Sequence, residues 1–128
     1  MKRVMLMMLL AAVGASLAAC GSAGAGTGGA ASGAYDTDFP LPSSVSNFTK
    51  TGEDEVNFQT KMSLEETTAF YRESLTKAGL VERTINTAVT AQTFSMVFDG
   101  APNGKAIVVQ GVALGDGTTN VNIRYEDV

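Results

Sequence analysis

The sequence predicts an α+β domain in which one helix packs on a curved, mostly antiparallel sheet of about five to six strands. Short segments in which apolar and polar residues alternate recur between residues 45 and 125. One segment, residues 63–79, instead carries apolar residues at helical spacing, and glycine-rich turns separate the last strands. Strands that bury one face need a covering layer, and the single helix supplies it.

The domain is predicted to begin with extended chain. Pro40 and Pro42 fix their own backbone and disfavour helix at the residues before them, so residues 39–42 are expected to be extended. Residues 45–48 are predicted as a short first strand. Residues 56–62 alternate more clearly and predict a half-buried second strand. The residues of its covered face are Val56, Phe58, Thr60 and Met62.

The helix is predicted to begin after Ser63. Serine is a favoured N-cap, and Glu66 three residues later completes a capping box. Gly79 is expected to end the helix, since glycine readily adopts the left-handed backbone of a C-terminal cap, and Leu80 is expected to fold back over the last turn. Phe70 lies at the edge of the stripe that is predicted to face the sheet. The stripe comprises Leu64, Thr68, Tyr71, Leu75 and Ala78.

Four further strands are predicted after the helix, and their turn residues separate them. Asp99-Gly100 and Asn103-Gly104 bracket one hairpin loop, and residues 115–117 form the next. In the last strand, Asn120, Asn122 and Arg124 are predicted to face away from the core, which is typical of a sheet with one covered face and one exposed face. The four predicted strands are residues 82–89, 93–98, 105–114 and 118–125.

Composition excludes several classes of function. The chain has 128 residues, with 13 acidic and 9 basic side chains. If an N-terminal export segment that contains Lys2 and Arg3 is removed, the remaining chain has 7 basic and 13 acidic residues and a net charge of −6. Binding to nucleic-acid phosphates needs clustered lysine and arginine, so no nucleic-acid partner is expected.

The chain also lacks the residues that most catalytic and metal sites use. It has no histidine and a single cysteine. Zinc sites built on histidine and cysteine are excluded, and so are catalytic triads that need an imidazole to take a proton. We therefore predict no catalytic residues, no metal site and no cofactor.

The N-terminus carries a lipoprotein export motif. Lys2 and Arg3 precede an apolar run, residues 4–19, that is short for a membrane-spanning helix. The run ends in Leu17-Ala18-Ala19-Cys20. This stretch resembles the lipobox of bacterial lipoprotein signal peptides.

The resemblance implies cleavage between Ala19 and Cys20 and a thioether-linked lipid on Cys20. The expected organisation is a signal peptide at 1–19, a lipidated cysteine with a flexible linker of small residues at 20–34, and one α+β domain at 35–128. The protein would be anchored in the cell membrane or the outer membrane, facing the periplasm or the cell exterior. In a cell with two membranes, Gly21 favours the outer one.

The folded domain is similar to two kinds of bacterial domain. A helix followed by an antiparallel meander is similar to the helix-grip domains of outer-membrane assembly lipoproteins. Phe70, Tyr71 and Arg72 in the helix, with Gly79 at its end, look like a small domain found in many uncharacterised bacterial lipoproteins. Both resemblances cover residues 56–125 and imply an α+β fold.

Three features suggest local chemistry, and each has a structural alternative. The oxygens of residues 116–120 suggest a calcium loop, but a hairpin turn also explains Asp116 and Gly117. The acidic residues at 53–55 and the pair Asp36 and Asp38 suggest carboxylate chemistry, but solvated surface charge explains them as well. Four aromatic side chains are candidates either for a ligand pocket or for the core. They are Phe70, Tyr71, Phe94 and Phe98.

The leading functional hypothesis is a non-enzymatic lipoprotein of the bacterial cell envelope. Its lipid on Cys20 would hold it to a membrane, and its exposed sheet face or an edge strand would bind an envelope protein or a cell-wall polymer. The first alternative is a small-ligand carrier or sensor with a pocket between helix and sheet. The second is a hydrolase that uses carboxylates alone.

Overall fold

The computed structural model describes residues 34–127, and within them it contains one α-helix and a seven-stranded sheet. The α+β class and the antiparallel sheet with its single helix are confirmed, although the domain is mostly sheet. The strands are β1 Ser46–Thr51, β2 Glu55–Thr60, β3 Val81–Glu82, β4 Ala88–Val89, β5 Thr93–Asp99, β6 Ala106–Ala113 and β7 Thr119–Glu126, and the helix is α1 Leu64–Lys77.

All strand pairs described in the sheet are antiparallel. The order across it is β1-β2-β7-β6-β5-β3, and β4 also pairs with β5. The helix packs on one face only, against β3, β5 and β6. This leaves the opposite face of the sheet open.

The predicted strand count of five to six was too low because residues 82–89 do not form one strand. The chain pairs with β5 as β3, leaves it in a 3-10 turn at Thr84–Asn86, and returns as β4. The amide of Asn86 donates to the Arg83 carbonyl at 2.9 Å, and that of Thr87 donates to the Thr84 carbonyl at 3.1 Å. These local bonds replace the ladder bonds that a continuous strand would make.

Both edges of the sheet are irregular. The pairing of β1 with β2 shifts register between Ser46 and Thr49, and Asn47 inside this bulge has a left-handed backbone with φ of 51°. At the opposite edge, β3 and β4 are two residues long each.

The helix has the predicted caps. Ser63 accepts a hydrogen bond from the Glu66 amide at 3.1 Å, and the Glu66 carboxylate accepts one from the Ser63 amide at 2.8 Å. At the other end Gly79 has φ of 90°, and the amide of Leu80 donates to the Leu75 carbonyl at 3.0 Å. Leu80 is buried over the last turn, as predicted for this type of C-cap.

The buried face of the helix differs from the predicted stripe at two positions. Thr67 is buried, whereas Ala78 is exposed beyond the last helical residue. The buried threonines are satisfied locally, because the hydroxyl of Thr67 donates to the Ser63 carbonyl at 2.7 Å and that of Thr68 to the Leu64 carbonyl at 2.8 Å.

The core lies between α1 and the sheet, closed at one end by the extended segment that precedes β1. Phe39 and Leu41 of that segment are buried with it. Gly111 in β6 lies under the ring of Phe94, where a Cβ atom would overlap the ring. The sheet contributes Val56, Phe58, Phe94, Met96, Phe98, Ile107, Val109, Val121 and Ile123 to the core.

No helix between residues 34 and 127 combines the length and the apolar character that crossing a bilayer requires.

Candidate binding surfaces

The open face of the sheet carries polar side chains in register across four strands. Asn57 in β2 lies opposite Asn122 in β7, which lies opposite Gln110 in β6, which lies opposite Ser95 in β5. Alternation along each strand puts these side chains on the face that the helix leaves uncovered. We call this row, together with Arg124, the amide face.

Arg124 crosslinks the amide face. One of its guanidinium nitrogens donates to the side-chain oxygens of Gln110 at 2.9 Å and Asn122 at 2.8 Å, and Nε donates to Glu126 at 2.6 Å. The amide nitrogen of Asn122 in turn donates to Glu55 at 2.6 Å. These bonds hold the side chains in defined positions, while Gln110 stays exposed.

The domain has a groove beside residues 38–40, between the end of the helix and the sheet. Its volume is about 560 Å³. We call it the acid-rimmed groove, since Asp38, Glu53 and Asp54 stand along it. Its apolar floor consists of Phe39, Leu75, Leu80, Ile107 and Tyr125.

The charges around the acid-rimmed groove are mostly negative. Lys50 lies 2.9 Å from Asp36 and 3.7 Å from Glu53, and Lys105 lies 2.9 Å from Asp54. Hydrogen bonding to Asp36 raises the pKa of Lys50, and hydrogen bonding to Asp54 raises that of Lys105. Both lysines therefore stay charged at neutral pH.

A second groove, of about 530 Å³, separates the first half of the helix from β4 and the residues that follow it. The groove is lined by the apolar side chains of Leu64, Ala69 and Val89, and Arg72 also borders it. The Arg72 guanidinium donates two hydrogen bonds to Glu82, at 2.7 and 3.1 Å. This pair ties the helix to the edge of the sheet.

The four aromatic candidates lie in or against the core. Tyr71, Phe94 and Phe98 are at most 2 % exposed, and Phe70 is half-buried with its ring 5.0 Å from that of Tyr71. Neither of the two large grooves includes any of them. The Tyr71 hydroxyl is buried without a hydrogen-bond partner among the described residues, and burial raises its pKa well above the usual value.

The other candidate motifs form surface contacts. The Asp116 carboxylate accepts hydrogen bonds from the Thr118 amide, at 2.9 Å, and from the Thr118 hydroxyl, so it caps its own hairpin and its pKa is lowered. No group of three or more potential metal-ligating side chains occurs in residues 34–127. The acidic clusters at 36–38 and 53–55 meet around Lys50, a convergence that sequence reasoning missed.

The remaining predicted site lies elsewhere in the chain. Cys20, the Ala19–Cys20 cleavage point and the signal peptide are outside the described residues. Comparison with protein-family models, with curated proteins and with solved structures gave no match.

Proposed function

We propose that this protein is a non-enzymatic lipoprotein of the bacterial cell envelope whose domain binds an envelope protein or a cell-wall polymer through the amide face. The proposal has two parts, an anchor and a binding surface. The anchor is inferred from the N-terminal sequence, and the binding surface is inferred from the side chains on the open face of the sheet.

The anchor is supported by the order of residue types at the N-terminus. A short basic segment precedes an apolar run that ends in Leu17-Ala18-Ala19-Cys20. Only cysteine supplies the thiol that forms a thioether with a diacylglyceryl group. Each methylene buried in the bilayer contributes about 0.8 kcal/mol, so two or three acyl chains give stable attachment.

The observation that carries the binding surface is the row of pre-ordered amides on the uncovered side of the sheet. Each amide offers a donor and an acceptor, a combination suited to peptide groups and sugar hydroxyls. Arg124 already fixes the orientations of Gln110 and Asn122. Binding to side chains that are ordered in advance costs less conformational entropy, by about 0.5–1.5 kcal/mol for each side chain.

A non-enzymatic role is supported by the residues available. The chain has no histidine. Asp36 and Asp54 form ion pairs with Lys50 and Lys105, and Glu82 and Asp99 form ion pairs with Arg72 and Arg83. Hydrogen bonding to these arginines lowers the pKa of Glu82 and of Asp99, which makes these two carboxylates poor general acids at neutral pH.

The anchor is tested by metabolic labelling with palmitate and by mass spectrometry of the protein from its native membranes. We expect label on the natural chain, a mature N-terminus at Cys20, and no label on Cys20→Ser. An unmodified cysteine, or an N-terminus downstream of it, would contradict the anchor without bearing on the amide face.

The amide face is tested by affinity capture from native membranes and isolated cell wall after mild crosslinking. We expect a specific protein or glycan to be retained by the natural chain and reduced at least tenfold by the double variant Asn122→Ala, Gln110→Ala. The matched control, Thr76→Ala with Gln92→Ala, removes two exposed polar side chains away from this face. Equal retention by both double variants would exclude the amide face as the binding surface.

A further inference from the structure

We propose that the acid-rimmed groove is a second binding site, one that takes a basic segment of a partner protein with an apolar side chain seated on the groove floor and flanking lysine or arginine at the rim. The site is independent of the amide face, because it lies on the helix side of the sheet, beside residues 38–40.

The floor of the groove is suited to an apolar side chain. Four of its apolar side chains are at most 6 % exposed, and they therefore form the bottom of a depression and do not project from the surface. They are Phe39, Leu75, Leu80 and Ile107. The Tyr125 ring packs 4.7 Å from that of Phe39 and forms one wall. A volume of about 560 Å³ accommodates one large side chain and the backbone that carries it.

The rim of the groove is suited to positive charge. Asp38, Glu53 and Asp54 line the groove, and two further carboxylates, those of Asp36 and Asp127, lie beside it with the ammonium groups of Lys50 and Lys105. The local charge is thus −3 when all seven groups are ionised.

A smaller polar depression continues the groove. It has a volume of about 110 Å³ and shares Asp38, Phe39, Glu53 and Tyr125 with the groove. Three carboxylates, those of Asp36, Asp38 and Glu53, line it against one cation, Lys50, so an ammonium or guanidinium group of the partner meets a net negative charge there. The negative potential also acts on the wall, since burial and the charges of Asp38 and Asp54 raise the pKa of Tyr125.

Charge complementarity favours a basic partner over a second copy of this chain or a bilayer. All 13 acidic residues lie after position 35, against 7 basic ones, and most of those basic side chains are engaged in ion pairs within the domain. A second copy therefore has no basic segment to offer. An anionic lipid surface would be repelled by the same rim.

The test measures binding of the full-length protein in detergent to fluorescent peptides by polarisation. The probe is an eight-residue peptide with leucine at its centre and four flanking lysines. One comparison peptide has glutamate in place of lysine, and another has serine in place of leucine. We expect the probe to bind, the glutamate peptide not to bind, and the serine peptide to bind at least fivefold more weakly.

Variants of the protein locate the site. Asp38→Asn with Glu53→Gln is expected to weaken probe binding at least tenfold. The control Glu65→Gln with Glu73→Gln removes the same net charge from the exposed helix surface and is expected to change it less than twofold. Ala78→Lys places a competing ammonium at the groove and is expected to abolish binding without unfolding the domain, because Ala78 is exposed and lies at a helix C-terminus, where a cation is favourable.

Three outcomes would overturn the proposal. The first is equal weakening by the two double variants, which would show diffuse electrostatic attraction. The second is equal binding of the leucine and serine peptides, which would show that the floor takes no part. The third is binding of the probe that survives Ala78→Lys while circular dichroism shows the variant folded.

Discussion

The two faces of the sheet share one backbone and differ in what their side chains do. The covered face is mostly apolar, with Thr60 and Thr119 at its end, and its residues in β7 and β2 are almost fully buried, as Val56, Phe58, Val121 and Ile123 show. The open face, one residue along the same strands, is polar and crosslinked by hydrogen bonds. The comparison separates the residues that stabilise the fold from those proposed to bind a partner, because the two sets point to opposite sides of the same strands.

The sharpest test of this separation is a pair of neighbouring substitutions in β7. Ile123→Ala is expected to lower the free energy of unfolding by about 2–5 kcal/mol, since it opens a cavity at a fully buried site. Asn122→Ala is expected to cost about 1 kcal/mol or less, because its lost partners are partly solvated. Denaturant unfolding measures both, and equal losses would mean that the open face also holds the fold together.

The covered face is also packed too closely to accept extra atoms at one point. Gly111→Ala is expected to destabilise the domain by about 1–3 kcal/mol, because the new methyl group would overlap the Phe94 ring. Combining it with Phe94→Leu is expected to cost less than the sum of the two single losses, since the smaller side chain removes the overlap. Strictly additive losses in this double-mutant cycle would show that the ring moves aside freely.

A polar atom of the helix, the Tyr71 hydroxyl, also lies in the core, and its removal is expected to stabilise the protein. Tyr71→Phe should raise the free energy of unfolding by about 1 kcal/mol, because the buried hydroxyl has no hydrogen-bond partner among the described residues.

The same substitution has a predicted pH dependence. Burial raises the pKa of Tyr71 in the folded state above the unfolded value of 10.0. The natural chain therefore keeps its full stability below pH 10 and loses stability above it, as the tyrosine of the unfolded chain ionises. Tyr71→Phe should therefore lose stability less steeply than the natural chain above pH 10. Parallel curves from pH 8 to 11 would show that the hydroxyl reaches solvent.

The smallest expected effect concerns the ion pair that joins the two layers at the sheet edge. Hydrogen bonding to Arg72 and to Thr87 lowers the pKa of Glu82. This contribution is present above pH 4.5, the usual value for glutamate, and is lost as pH falls through the lowered pKa. Glu82→Gln should cost at most about 1 kcal/mol at pH 7, because Arg72 is half exposed, and the cost should disappear once pH falls below the lowered pKa of Glu82. A cost that does not change as pH falls would point to lost packing instead.

Local features of the fold were predictable, whereas features that depend on register were not. Ser63, Glu66 and Gly79 act within one helical turn of their own positions, so their roles follow from sequence spacing. The alternation of polar and apolar residues in β7 could also be recognised in the sequence. The crosslink from Arg124 to Gln110, however, depends on how β6 and β7 align, and spacing does not reveal this.

Two kinds of feature were not predicted from the sequence. One is a break in a strand that no glycine or proline marks, and the other is a site formed by residues that are distant in sequence. The 3-10 turn at Thr84–Asn86 contains neither glycine nor proline, and the threonines around it are typical of a strand. The sequence therefore predicted one continuous strand there. The acid-rimmed groove combines residues as far apart in sequence as Asp38, Glu53, Leu75 and Tyr125. The acidic pairs were noticed in the sequence, but their convergence depends on the tertiary structure.

If the lipid anchor proposed above holds the protein on a membrane, the irregular edges of the sheet have a consequence for how neighbouring copies interact. Molecules held on a membrane meet one another at high effective concentration, and a long flat edge strand would let them polymerise by continuing the sheet from one molecule to the next. The bulge at Asn47 twists one edge, and the two-residue strands β3 and β4 leave little backbone to pair at the other. Crowded copies should therefore remain separate.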